Sequence, residues 1–185
     1  MTVTADGVGR AIFSPVAWDD LQVTLGTVKL PGVSDPSWVA YKGGRLLSFS
    51  KSSDNIITFT GQLSHSYKLE SDLEFHIHVV YPDANAGNSK WVLTYSWAGI
   101  GGDFPAETPT PVTIASPANA DAHTLHEVVA VIDGTGKSGL SSMLICSLMR
   151  EGTDVADTYD NAIYLVGLDF HFQKDTIGSL LEKTK

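Results

Sequence analysis

Apolar and polar residues alternate with a period of two along most of this chain, the spacing of strands with one face buried and the other wet. The segment Leu73–Tyr81 is the cleanest case: Phe75, Ile77, Val79 and Tyr81 point one way, and Glu74, His76 and His78 the other. Near the end, Val166, Leu168, Phe170 and Phe172 are expected inward, with Asp169, His171 and Gln173 outward. Further strands are expected at about Leu21–Leu30, Leu46–Phe49, Asn55–Leu63, Lys90–Trp97, Thr124–Ile132, Ser141–Arg150 and Ala162–Gln173. Between them, Gly99–Pro117 holds three glycines and four prolines and reads as a long surface loop, and Glu151–Asn161 as a solvated acidic one. A helix is expected only at Thr176–Lys183.

Eight strands with almost no helix predict an all-β fold, an antiparallel β-sandwich of the jelly-roll kind with about eight strands. The expected organisation is an N-terminal arm over 1–17, one sandwich domain over 18–179 and a C-terminal tail over 180–185. At 185 residues a single domain buries roughly 70% of its unfolded surface, enough for its own core. Net charge changes the choice of partner: 12 Lys+Arg against 21 Asp+Glu give −9, a field that repels nucleic acid and anionic membranes. Only 18% of residues are charged, which leaves neutral surface for contacts with other copies. The start lacks a basic leader and no apolar run has membrane length, so synthesis in the cytoplasm without membrane insertion is expected. The single Cys146 lies in an apolar run and reads as a small buried hydrophobe.

What the histidine-bearing face meets is the central question: a metal, a ligand, another subunit, or water. His76 and His78, two apart on a strand, have a spacing that suits one metal ion, and His171 would complete the set if its strand is adjacent. A cupin-like metal enzyme would need a Glu shortly after the pair, where this chain has Val79, Val80, Tyr81 and Pro82. The same face, with Glu74, His76, His78, Asp169 and His171, suits a subunit interface, and in a trimer its imidazoles would gather around an axial structural ion. Gly134-Thr135-Gly136-Lys137-Ser138 lacks the leading glycine of a phosphate loop, Val131 standing there, and reads as a turn. Ser141 and Ser142 lie in no nucleophile elbow. His123 and His126 read as solvated loop histidines, and Glu151, Asp154, Asp157 and Asp160 lack the alternation of a calcium loop. Trp91 and Trp97 share a strand face and are expected in the core, whereas Trp18 and Trp38 are candidates for stacking on a glycan.

Six segments in register carry a resemblance: Trp18-Asp19-Asp20-Leu21, Gln62-Leu63-Ser64-His65-Ser66-Tyr67-Lys68, His76-Ile77-His78, Tyr95-Ser96-Trp97-Ala98, Gly134-Thr135-Gly136-Lys137 with Ser141–Cys146, and Asp169–Ser179. Together they are similar to a group of small proteins encoded among the structural genes of tailed bacteriophages. Relatives tend to carry Pro at the position of Ser64 and Pro-His where this chain has Glu74-Phe75. The resemblance implies a non-enzymatic virion protein, a head-decoration, head-fibre or tail-associated jelly roll assembling as a homotrimer. It implies capsid or tail components as partners and no cofactor, while contact with a host-surface glycan rests on Trp18 and Trp38. The alternatives from the residues are the cupin-like metal-dependent enzyme and a carbohydrate-binding module.

Overall fold

Period-two patterning becomes strand almost everywhere it occurs in the computed structural model, which describes residues 2–5, 11–179 and 181. Among these residues there are eleven strands and no helix: β1 (Thr2–Ala5), β2 (Ala11–Val23), β3 (Ser37–Tyr41), β4 (Gly44–Phe49), β5 (Asp54–Gln62), β6 (Leu73–Val80), β7 (Asn88–Ala98), β8 (Thr108–Ala115), β9 (His123–Ile132), β10 (Met143–Glu151) and β11 (Ile163–Thr176). They form two antiparallel sheets, one of seven strands and one of four ordered β5-β10-β7-β8. In the larger sheet β11 has β6 and then β9 on one flank, and on the other β2 and β4 follow one another along its length, extended by β1 and β3. With β1 and the β3–β4 hairpin set aside, the rows β2-β11-β6-β9 and β5-β10-β7-β8 are the two four-stranded layers of a jelly roll.

The core lies between these layers. Phe59 of the four-stranded sheet packs on Phe75 and Phe170 of the other at centroid separations of 5.8 and 6.2 Å, and Phe49 meets Trp91 at 5.2 Å. Each such fully buried side chain contributes roughly 1.5–3 kcal/mol of transfer free energy. Trp91 and Trp97 are buried as expected, as is Cys146. Phe75, Ile77, Val79 and Tyr81 are likewise all shut away from solvent.

Several expectations are corrected. The first strand ends at Val23 rather than Leu30, because a turn bonded through Thr27 N–H to Thr24 C=O intervenes, and Lys29 then makes an isolated bridge to Thr58. Val166 was placed inward but is 40% exposed, since the register of β11 on β6 slips between Leu165 and Gly167 and ejects it. The expected helix at Thr176–Lys183 is absent from the described part: Thr176 closes β11, and 180 and 182–185 lie outside the described residues. The Gly99–Pro117 loop contains β8, whose Pro109 and Pro111 are tolerated because β8 is the outermost strand of its sheet. The expected Leu46–Phe49 strand is β4, and the unexpected β3 pairs with it in a hairpin whose tight turn uses Lys42 and Gly43, both at positive φ.

The acidic loop after β10 is not simply solvated. Asp157 is only 2% exposed and accepts two hydrogen bonds from Arg150, from Nε and Nη2, each at 2.9 Å. The remaining Arg150 donors reach the carbonyls of Phe49, Tyr159 and Asn161. Asp154 and Glu151 instead pair with Lys90 at 2.6 and 2.8 Å.

Candidate functional site

Strand pairing writes the histidine face as rows across the larger sheet. Gln22, Asp169, His76 and Glu127 stand side by side on β2, β11, β6 and β9, and the next row is Asp20, His171 and Glu74. Trp18 and Gln173 follow. A bulge at Val128 sets the first row, because the register steps from Phe75 opposite Val129 to His76 opposite Glu127. Val128 and Val129 are both buried, and Glu127 is turned outward beside His76.

Bonding within the face is dense. His78 Nε2 meets Asp169 Oδ2 at 2.7 Å, and its Nδ1 meets His123 Nε2 at 2.7 Å. His171 Nδ1 meets Asp20 Oδ1 at 2.6 Å, while its ring stacks on Trp18 with 4.6 Å between centroids and 4° between planes. His76 is different: it is 9% exposed, with ion-pair contacts at 3.4 Å to Asp169 Oδ1 and 3.5 Å to Glu74 Oε2 but no hydrogen bond of good geometry. Asp169 Oδ1 correspondingly is buried with no hydrogen-bond partner. Beside this network a cavity of about 530 Å³ is lined by Arg45, His78, His123 and Asp169.

His76, His78 and His171, the expected metal set, share the face but do not converge. Both nitrogens of His78 and one of His171 are engaged by other groups. Among the described residues the metal-type donors that come within 4.8 Å of one another belong to Glu74, His76 and Glu127. Glu127, Asp20 and His123 were missed as members of the face; the alternation of β9 points to the first and third, and the pairing of β2 with β11 to the second.

His126 corrects the reading of solvated histidines. It lies on β9 with opposite parity to His123 and Glu127, so it turns inward and bonds the Tyr81 hydroxyl through Nε2 at 2.8 Å. Burial lowers its pKa from the ordinary 6.5 to about 4.

A second constellation lies at one end of the sandwich. The His65 ring bridges Ser141 Oγ at 2.8 Å and Ser179 Oγ at 2.6 Å, Trp97 Nε1 donates to Ser142 Oγ, and Lys137 Nζ donates to the Trp97 carbonyl. Gly134 is required there, since a Cβ would overlap the Ser71 carbonyl oxygen. A serine orients His65 where a hydrolase triad sets a carboxylate.

The glycan candidates sit apart. Trp18 is 45% exposed and borders a cleft of about 310 Å³ with Lys68, Glu70, Asp72, Glu74 and Gln173, while Trp38 is 41% exposed beside Arg45 on the β3–β4 hairpin.

No protein-family profile and no curated protein matches the sequence. Among solved structures, the chain is similar to one described as a non-crystalline cellulose specific carbohydrate-binding module, CBM28, with 12% identity, a TM-score of 0.34, and coverage of 82% of this chain and 88% of that one. At that TM-score the ligand of this chain must be argued from its own residues.

Proposed function

We propose that this protein is a non-enzymatic virion component of a tailed bacteriophage that assembles as a homotrimer and works by adhesion to neighbouring capsid or tail proteins. The observation that carries the self-association is the outer face of the four-stranded sheet. Ile56, Thr58, Thr60, Thr94, Ile145 and Ser147 lie on adjacent outward positions of β5, β10 and β7, an uncharged centre bordered by Lys29 and Glu107. On a chain of net charge −9, the uncharged centre of this face can be desolvated against another copy with Lys29 and Glu107 left at the rim. Ile145, at the middle of it, is half exposed. The trimeric state and the phage setting come from the sequence resemblance. In this proposal the interface moves from Glu74, His76, His78, Asp169 and His171 to the other sheet, because His78 and His171 are already hydrogen-bonded to Asp169 and Asp20 within the chain.

Light scattering on the purified chain is expected to give three times its 19.8 kDa mass. Ile145→Glu should return the monomer with little change in melting temperature, because the side chain points away from the core. A monomeric wild type at tens of micromolar, or a trimer indifferent to Ile145→Glu and Thr58→Arg, would sink this reading.

One observation favours a second reading, glycan binding at Trp18. Its ring is held flat by His171 yet remains exposed beside carboxylates, an amide and Lys68, a platform with the polar rim that a sugar ring requires. Retardation in gels containing host-surface polysaccharide, abolished by Trp18→Ala and kept by Trp38→Ala, is the expected result. Equal mobility of wild type and Trp18→Ala excludes it.

A further inference from the structure

We propose that Glu74, His76 and Glu127 bind one divalent transition-metal ion per chain, with Asp169 as the positioning residue behind His76. The inference is independent of how the chain assembles. Three different strands supply the parts: Glu74 and His76 from one edge-to-edge run of β6, Glu127 from β9 directly opposite His76, and Asp169 from β11 on its other side.

The ring nitrogens of His76 have distinct surroundings. Nδ1 faces Asp169 Oδ1 at 3.4 Å, and Nε2 faces Glu74 Oε2 at 3.5 Å. Neither contact is a hydrogen bond of good geometry, although the residue is nine-tenths buried and aimed into the carboxylate pair. A buried carboxylate oxygen without a hydrogen-bond partner, standing behind a largely buried imidazole, is a costly arrangement for a face that only contacts water.

A metal ion accounts for all of it. If His76 closes on Asp169 Oδ1 from 3.4 Å so that Nδ1–H donates to it, the lone pair of Nε2 points to the carboxylates, the carboxylate–histidine–metal order in which the outer acid fixes the tautomer and raises ligand basicity. Ligands at about 2.0–2.2 Å from a tetrahedral Zn²⁺ lie ~3.4 Å from one another. The Glu74 to His76 separation already matches that spacing, and Glu127, exposed to solvent, closes from within 4.8 Å by rotation about its side-chain bonds. Two carboxylates brought together repel, and a dication with one neutral imidazole balances their charge. Mixed oxygen and imidazole donors suit Zn²⁺ or Mn²⁺ rather than Ca²⁺ or Cu⁺. Two protein oxygens and one nitrogen leave a fourth position of a tetrahedral ion for water or for a carbonyl or hydroxyl of a neighbouring molecule.

The test is calorimetric titration of the full chain with ZnCl₂ at pH 7.5, together with elemental analysis after dialysis. One ion per chain is expected. Glu127→Gln, at an exposed position where folding is not at stake, should weaken binding at least tenfold with an unchanged melting temperature. Asp169→Asn should weaken it about 10–100-fold, the cost typical of removing an outer-shell partner. His123→Asn, which disturbs only the neighbouring imidazole pair, should leave affinity as it was. Absence of zinc binding, one ion per three chains, or an affinity lost in His123→Asn and kept in Glu127→Gln would overturn the assignment. A monomer that binds zinc leaves it intact, so its fate and that of the trimer are separately readable.

Discussion

Arg150→Met is expected to destabilise the protein by about 3–5 kcal/mol, the cost of leaving one member of a buried ion pair without the other. Both side chains of the pair are fully enclosed. A guanidinium has five N–H donors, and all five are used: Nε and one Nη2 hydrogen on Asp157, the other Nη2 hydrogen on the Tyr159 carbonyl, and the two Nη1 hydrogens on the carbonyls of Phe49 and Asn161. Asp157 Oδ2 also accepts from the Lys90 amide. Arg150 therefore fastens β10, the end of β4 and the loop leading to β11 at a single point. For a chain of this size each kcal/mol moves the melting point by roughly 2–4 °C, so thermal unfolding should come about 10 °C earlier or more. Lysine is no substitute, since a compact ammonium cannot span that set of acceptors. In the double variant Arg150→Met with Asp157→Leu the stranded carboxylate disappears, and stability should recover well above the sum of the two single losses. A loss under 1 kcal/mol for Arg150→Met would show that the loop is seated by something else.

The second large effect is a pH dependence set by His126. Its folded pKa of about 4 lies below the ordinary 6.5, so the fold favours the neutral ring. The unfolded chain then binds the proton more readily, and stability falls as acid is added. The contribution is complete above pH 6.5 and is lost progressively between 6.5 and 4, amounting to about 2–3 kcal/mol. Urea unfolding at pH 7 and pH 4 should therefore show a larger drop in wild type than in His126→Gln. The variant is the needed control because carboxylates such as Asp19, held low by the Lys174 ammonium, titrate in the same experiment. Equal drops in the two proteins would mean that the ring is solvated or charged in the fold.

The sheet architecture was legible because period-two alternation is a local property with a direct geometric meaning. Phe75 to Tyr81 and Trp91 to Trp97 went where their parity sent them. What was illegible depended on pairing. Val166 looks inward by counting, and only the slip of β11 against β6 turns it out. Glu127 joins His76 through a bulge that exists between two strands rather than within one. Edge strands β3 and β8 are short or proline-bearing, and their signal is weak because an outermost strand need satisfy hydrogen bonds on one side alone. The Arg150–Asp157 pair is seven residues apart across a loop, and charge spacing carries no mark of burial. The histidine face was half legible: the shared orientation was visible, but which nitrogen meets which carboxylate is decided by three neighbouring strands at once.

Pro109 and Pro111, on alternate positions of the strand that ends the four-stranded sheet, have a consequence for crowded solutions. Neither offers an amide hydrogen, so an incoming extended peptide finds gaps in the ladder it would need to zip up. Copies brought to high concentration therefore cannot readily extend the four-stranded sheet through this edge.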